Sequence, residues 1–160
     1  MKNKEKTSLQ QAIYYAKAPI IIALILTPVR YGLELLGLPE NAIFIIGLLW
    51  LTLGIAIYLG IKTFNKKMPY RILLLSLAIF SPISRVPVAI LWWVDTKWEI
   101  GTHYGLYYDN FGQALLNHVI YGSLVQLIPG FLLGIVTIAI MRYRKTLTKK
   151  QTFRKWIITI

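Results

Sequence analysis

Four apolar stretches, each long enough to cross a lipid bilayer as a helix, limit what this chain can fold into. An α-helix rises 1.5 Å per residue, so about 20 apolar residues cross the ~30 Å hydrocarbon layer. The second stretch contains no charged residue, and the third contains only Arg85. The pattern predicts four transmembrane helices, at residues 18–37, 42–61, 72–94 and 114–141.

The composition indicates the same class of protein. Hydrophobic residues make up 56% of the chain and the mean hydropathy is +0.57, above the ~45–50% of apolar residues usual in soluble domains. We therefore expect an all-α integral membrane protein, with residues 1–160 as a single four-helix domain.

The basic start, MKNKEKTSLQ, resembles that of a secretory signal peptide. The apolar run after it is too long, however, and lacks a small-residue cleavage site. We expect this segment to be retained as the first helix.

Basic residues are distributed unevenly along the chain, which carries a net charge of +12. They cluster before the first helix, between the second and third, and after the fourth, whereas the other two connections contain only Lys97. The positive-inside rule then predicts a multi-pass protein of the plasma or inner membrane, with both termini cytoplasmic and residues 142–160 as a basic cytoplasmic tail. The clusters comprise Lys2, Lys4, Lys6 and Lys17; Lys62, Lys66, Lys67 and Arg71; and Arg142, Arg144, Lys145, Lys149, Lys150, Arg154 and Lys155.

This charge pattern also indicates what the chain contacts. The expected partner is the bilayer itself, with anionic lipids near the basic segments. Nucleic acid is not an expected partner, because no stacking or groove-reading residues are interleaved with the basic ones. The chain contains no cysteine, which excludes disulfides, thiolate metal sites and a cysteine nucleophile.

The sequence also contains an internal similarity. A shift of 54 residues places KAPIIIALILTP on RILLLSLAIFSP, and a shift of 80 places LGIAIYLGIKTFNKK on LGIVTIAIMRYRKTL. General resemblance between apolar hairpins is one explanation. The matched Thr27–Pro28 and Ser81–Pro82 pairs favour the other, two repeated helical hairpins in parallel. The extra residues of the second copy then form an insertion between the third and fourth helices, at 95–113.

Ionisable residues inside the apolar helices need an explanation. Each costs about 2.5–3.5 kcal/mol at a helix centre on insertion scales. Arg30 and Glu34 are one turn apart in the first helix and are expected to form an ion pair. Arg85 lies between Pro82 and Pro87. Three interpretations remain open for the arginines: extension to outer lipid phosphates, contacts that hold helices together, or binding of an anionic or polar group.

The fourth predicted helix adds a polar face. His118, Gly122 and Gln126 follow one another at intervals of four residues and share one side of a helix. Close helix packing explains such a face, and His118 is alternatively a proton carrier. We predict a ligand-binding polar cluster in the outer half of the membrane, made of Arg30, Glu34, Arg85, His118 and Gln126.

The insertion at 95–113 is rich in tryptophan and tyrosine, which favour the headgroup level of a bilayer. We expect it to lie on the outer face as a lid. A helix would align Asp95, Glu99 and His103 as metal ligands or as an acid/base set, but the nearby glycines argue against a helix there. Asp95, Glu99, His103 and Asp109 are therefore the candidate site residues of the insertion. Neither a metal nor a cofactor is expected.

Three functions fit these features. The first is binding or permeation of a small polar or anionic solute through an outer-facing cavity, by an oligomer because four helices rarely enclose a wide pathway. The second is an accessory or immunity-type protein that packs on a membrane-protein partner. The third is an enzyme acting on a lipid-linked substrate. No motif has enzyme-specific spacing, so a non-enzymatic function is favoured and no catalytic residue is assigned.

Overall fold

A computed structural model describes the backbone of residues 7–158 and the side chains of residues 7–148. The basic residues predicted to be cytoplasmic at positions 2, 4, 6, 149, 150, 154 and 155 therefore lie outside the described side chains. The described residues form helices and no strand. The α-helices are α1 (Ser8–Leu35), α2 (Glu40–Ile45), α3 (Leu48–Thr63), α4 (Pro69–Trp98), α5 (Phe111–Leu115) and α6 (Gly122–Ile158), with a 3-10 turn at His103–Gly105 and a π-helical turn at Leu116–Tyr121.

Four helical segments in the described residues are long and apolar enough to cross a membrane. Large apolar side chains are exposed along all four, as expected for a surface in contact with lipid. The prediction of an all-helical chain with four such segments is confirmed at this level. The segments are Ser8–Leu35, Glu40–Thr63, Pro69–Trp98 and Phe111–Thr148.

All four segments extend beyond the apolar stretches that predicted them, the second by only two residues at each end. α1 begins at Ser8, because Thr7 and Gln10 form a capping box in which each side chain accepts a hydrogen bond from the other residue's amide, at 3.3 and 3.1 Å. α4 begins at Pro69, a residue suited to the first turn of a helix. α6 continues as a helix into the segment predicted to be a basic tail.

The second predicted helix is broken where α2 meets α3. Gly47 adopts an extended conformation with φ −80° and ψ 154°, so the helix stops after Ile45 and restarts at Leu48. In an unbroken helix, the Ile43 carbonyl would accept from the Gly47 amide. Here the Nε of Arg30 donates to that carbonyl at 3.3 Å. The break therefore provides an acceptor for a buried arginine.

Contacts at both ends show that α1 and α4 run in the same direction. At their starts, the hydroxyl of Ser8 lies 3.8 Å from the sulfur of Met68. Beyond their last turns, Glu34 of α1 contacts His103, which follows α4 in the chain. The two helices pack against each other along their lengths.

α3 and α6 run together in the opposite direction. Where α3 ends, Arg142 Nε donates to the Phe64 carbonyl at 3.1 Å, and Lys145 Nζ donates to Asn65 Oδ1 at 2.6 Å. The bundle therefore has a basic end, formed by residues 62–71 and 142–148, and a loop end, formed by residues 34–47 and 95–110. The repeat hypothesis pairs α1 with α4 and α3 with α6. Superposition of the two hairpins stays a prediction.

Glycines on α3 and α6 let these helices approach closely. A methyl group at Gly60 would lie 2.8 Å from the Cβ of Thr137, and one at Gly134 would lie 3.3 Å from the Ala56 carbonyl oxygen of α3. Gly130 packs on α3 in the same way. Small residues favour helix association in lipid because the backbones can come into contact. We call Gly60, Gly130 and Gly134 the glycine seam.

Candidate functional site

A cavity of about 410 Å³ opens near the loop end, between α2, α3, α4 and the start of α6. Its volume is within the ~300–1,000 Å³ usual for small-molecule sites. Residues 99–110, which we call the loop segment, line it from the loop end. The polar part of the lining includes Arg30, Glu40, Arg85, His103, Tyr104, Tyr107, Tyr108 and His118.

Arg30 reaches the cavity from the C-terminal third of α1. It is only 6% exposed, and its Nε uses the Ile43 carbonyl as an acceptor. A side chain this deeply buried does not extend along the outside of the bundle. Arg30 is part of the cavity lining, and a guanidinium has N–H groups besides Nε that can donate to a ligand.

Arg85 projects into the cavity from α4, which stays helical through Pro82 and Pro87. Its Nε is buried and has no hydrogen-bond partner. The guanidinium packs against Gly122 of α6, where a Cβ would lie 3.2 Å from the Cζ of Arg85. Neither Arg85 nor Arg30 forms an ion pair with a carboxylate within residues 7–148.

Glu34 pairs with His103 instead of with Arg30. The backbone amide of His103 donates to Glu34 Oε1 at 2.7 Å, and the Nδ1 of His103 lies 2.5 Å from Oε2. The expected Arg30–Glu34 ion pair is therefore wrong. The loop segment offers Glu34 two donors at once, while Arg30 finds an acceptor at the helix break.

Tyr104 of the loop segment also lines the cavity. Its ring packs edge-on against Tyr31, with centroids 5.4 Å apart, and its hydroxyl is buried with no hydrogen-bond partner. Burial raises the pKa of the Tyr104 phenol above its usual value of 10.0, an effect that the positive charge of Arg30 partly offsets. The hydroxyl is consequently protonated at neutral pH.

His118 lies on the π-helical turn and lines the cavity, with its ring edge-on to Tyr108 at 5.2 Å. Its Nε2 is buried without a partner. Such turns occur often at functional sites. The sequence LNHVIY has no feature that distinguishes this turn from α-helix, so only the presence of a polar residue was predictable.

Gln126 lies outside this cavity. Its side chain is fully buried, and its Oε1 is 3.4 Å from the hydroxyl of Ser84. Of the five residues of the predicted cluster, Arg30, Arg85 and His118 line the cavity. Glu34 contacts the cavity indirectly through His103. The clustering of these residues is a geometric finding, and their role in binding stays a prediction.

The four candidates of the predicted insertion do not converge. Asp95 is buried and fastens the loop segment to α4, because its Oδ1 accepts from the amide and the hydroxyl of Thr102 at 3.0 and 2.6 Å. Glu99 ends α4 in a left-handed conformation with φ 50°, and it is exposed, as is Asp109. Within the described residues, no three histidines or carboxylates come close enough to hold a metal ion.

The loop end is negatively charged outside the bundle interior. It carries every carboxylate of residues 7–148, and the only lysine or arginine there besides the two cavity arginines is Lys97. A larger hollow of about 970 Å³ lies at the basic end, between the start of α1 and residues 65–68. Its lining begins at Thr7, the first residue that the structure describes, and we assign no site to it. The acidic group at the loop end is Glu34, Glu40, Asp95, Glu99 and Asp109.

Comparison of the chain with models of protein families, with curated proteins and with solved structures finds no match. The arguments about function therefore rest on this geometry.

Proposed function

We propose that this is a multi-pass membrane protein that binds a small anionic or polar solute in the cavity at the loop end. The observation that supports the proposal most is the pair of arginines, Arg30 and Arg85, which line one cavity without a carboxylate partner in the described residues. Two like charges in one desolvated space repel each other, and a bound anion would relieve that repulsion.

The donors at the cavity wall suit an oxyanion. A guanidinium has five N–H groups, and pairs with carboxylate or phosphate oxygens are often bidentate. A buried donor without a partner costs about 1–3 kcal/mol, more when it is charged. An oxyanion in the cavity would accept from guanidinium N–H groups of Arg30 and Arg85, the two arginines of its lining.

We also propose how the protein is oriented in the membrane and when it would need to form an oligomer. By the positive-inside rule, the basic end faces the cytoplasm of a plasma or inner membrane, and the cavity is near the opposite surface. Four helices rarely enclose a wide pathway, so permeation across the membrane would need an oligomer. Binding alone does not.

Saturation binding of radiolabelled phosphate to purified protein tests the proposal. Arg85→Gln removes the cavity's unpaired cation but keeps a polar side chain, and we expect it to weaken binding by at least about tenfold. Its matched control is Arg144→Gln, which removes an exposed arginine at the basic end. We expect the control to bind like the parent protein. Undiminished binding by an Arg30→Gln, Arg85→Gln double variant would refute the proposal.

A further inference from the structure

We infer that the anion bound in this cavity carries an apolar tail, and that it enters sideways from the bilayer between α3 and α6. The occupant is then an amphiphile with a phosphate group, such as an anionic phospholipid. This inference rests on the proposed function and specifies the ligand class of the same site.

The walls of the cavity also have an apolar part. It includes Leu48 and Leu49 of α3, Val88 of α4 and Val125 of α6. At ~30 Å³ per molecule, the volume would hold roughly a dozen waters, much more than a small oxyanion displaces. A hydrocarbon group beside the anion would cover the apolar wall, and each buried CH₂ would contribute about 0.8 kcal/mol.

The cavity has an opening on the side of the bundle. Phe44, Trp50 and Val125 line the cavity and are also 56%, 62% and 60% exposed, so the space reaches the surface between α2–α3 and α6. Tyr107 of the loop segment, 81% exposed, also lines it, so the cavity reaches the surface at the loop end as well. Nearer the basic end, Gly130 packs on Thr52 and closes the gap between α3 and α6. An apolar chain can therefore leave the cavity between the two helices directly into surrounding lipid.

Charge also favours sideways entry. An anion approaching from water at the loop end would meet the carboxylates there, including Glu40 at the cavity wall itself. A phosphate that reaches Arg85 through the side of the bundle passes fewer of those carboxylates.

Binding of dioctanoyl phosphatidic acid, glycerol 3-phosphate and inorganic phosphate, compared in an uncharged maltoside detergent, tests the inference. All three probes carry a phosphate, and only the first carries apolar chains. We expect the lipid to bind at least about tenfold more tightly than either soluble anion. We also expect Arg85→Gln to weaken lipid binding.

The outcomes separate this inference from the proposed function. Equal affinity for all three probes, or preference for a soluble anion, would overturn the apolar tail and leave anion binding intact. Absence of binding by every probe would overturn both. Lipid binding that Arg85→Gln and Arg30→Gln leave unchanged would show adsorption outside the cavity, which also overturns the inference.

A second pair of variants tests the entry route. Val125→Trp fills the mouth between α3 and α6, while Val136→Trp places the same side chain at a comparably exposed position of α6, 52% against 60%, outside the cavity lining. Slower or weaker lipid binding by at least about fivefold is expected for Val125→Trp alone. If both variants bind lipid like the parent protein, sideways entry is wrong.

Discussion

Glu34 shows how a single carboxylate can be held by two donors from a distant part of the chain. Both the amide and the Nδ1 of His103 reach it, and His103 lies 69 residues away in sequence. The contact joins the last turns of α1 to the loop segment. Charge-assisted hydrogen bonds in a partly buried setting are stronger than exposed ion pairs, so we expect this contact to stabilise the loop end measurably.

Two double-mutant cycles measure this contact. For Glu34→Gln with His103→Gln, we expect a coupling of about 1–2 kcal/mol in the free energy of unfolding in detergent. For Glu34→Gln with Arg30→Gln, we expect less than about 0.5 kcal/mol, because Arg30 bonds to the Ile43 carbonyl instead.

The exposed carboxylate of Glu99 provides the control for these cycles. Glu99→Gln, combined with His103→Gln, should show no coupling. Strong coupling between Glu34 and Arg30, with none between Glu34 and His103, would support the ion pair expected from sequence over the contact described here.

For single residues, the sequence predicted which side chains lie in the interior better than it predicted which groups they contact. The cost of a charge in lipid is a property of one residue, and it was enough to single out Arg30, Glu34 and Arg85. Partners depend on chain segments far apart in sequence. The i, i+4 rule describes only neighbours on the same helix, so it proposed Arg30 for Glu34 and could not propose His103.

Glycines determine how the elements pack. The glycine seam brings α3 and α6 together toward the basic end, and Gly122 leaves room for the guanidinium of Arg85. Gly54 of α3, by contrast, is exposed and would have no heavy atom within 4 Å of an added Cβ. The same residue type therefore has different roles at positions a few turns apart.

Alanine substitutions at Gly60 and Gly54 test the seam. Gly60→Ala places a methyl 2.8 Å from Thr137 Cβ and 3.1 Å from the Gly134 carbonyl, neither of which can move without the helix. We expect a loss of about 1–3 kcal/mol in unfolding free energy. At Gly54 the higher helix propensity of alanine should leave stability unchanged or up to about 1 kcal/mol higher. Equal effects at both positions, measured by thermal unfolding in detergent, would argue against the seam.

Helix length and composition were predictable, and helix interruptions were not. Apolar stretches of sufficient length are a strong signal, which explains the agreement on four spans. A glycine within an apolar run is common in membrane helices, so Gly47 alone did not indicate a break. The π-helical turn gave no local signal either. Both interruptions are at the cavity, one supplying the carbonyl that holds Arg30 and the other carrying His118.

The whole molecule has opposite charge at its two ends. Lysines and arginines are concentrated at the basic end, while the carboxylates of residues 7–148 are at the loop end. Since α1 and α4 run parallel, and α3 and α6 run opposite to them, successive spans alternate in direction. This arrangement agrees with the expected topology, whose orientation in a membrane stays a prediction.

Accessibility of single cysteines tests this orientation, in a chain that has no native cysteine. In intact cells, a membrane-impermeant thiol reagent should label Asp109→Cys and should not label Lys66→Cys; both parent side chains are exposed. Gly105 is unsuitable for such labelling, because a side chain there would overlap the carboxylate of Asp95. Labelling of Lys66→Cys after permeabilisation is the control, and the reverse pattern would invert the topology.

The basic end has a consequence for how the protein is made and how copies of it can assemble. Moving one positive charge outward against a membrane potential requires about 2.3 kcal/mol per 100 mV, and each such charge at the basic end adds to that amount. If the basic end faces the cytoplasm, as predicted, a protomer in the membrane could not turn over. Copies inserted under the same rule would all point the same way, so any homo-oligomer would have a symmetry axis along the membrane normal and never an antiparallel pair.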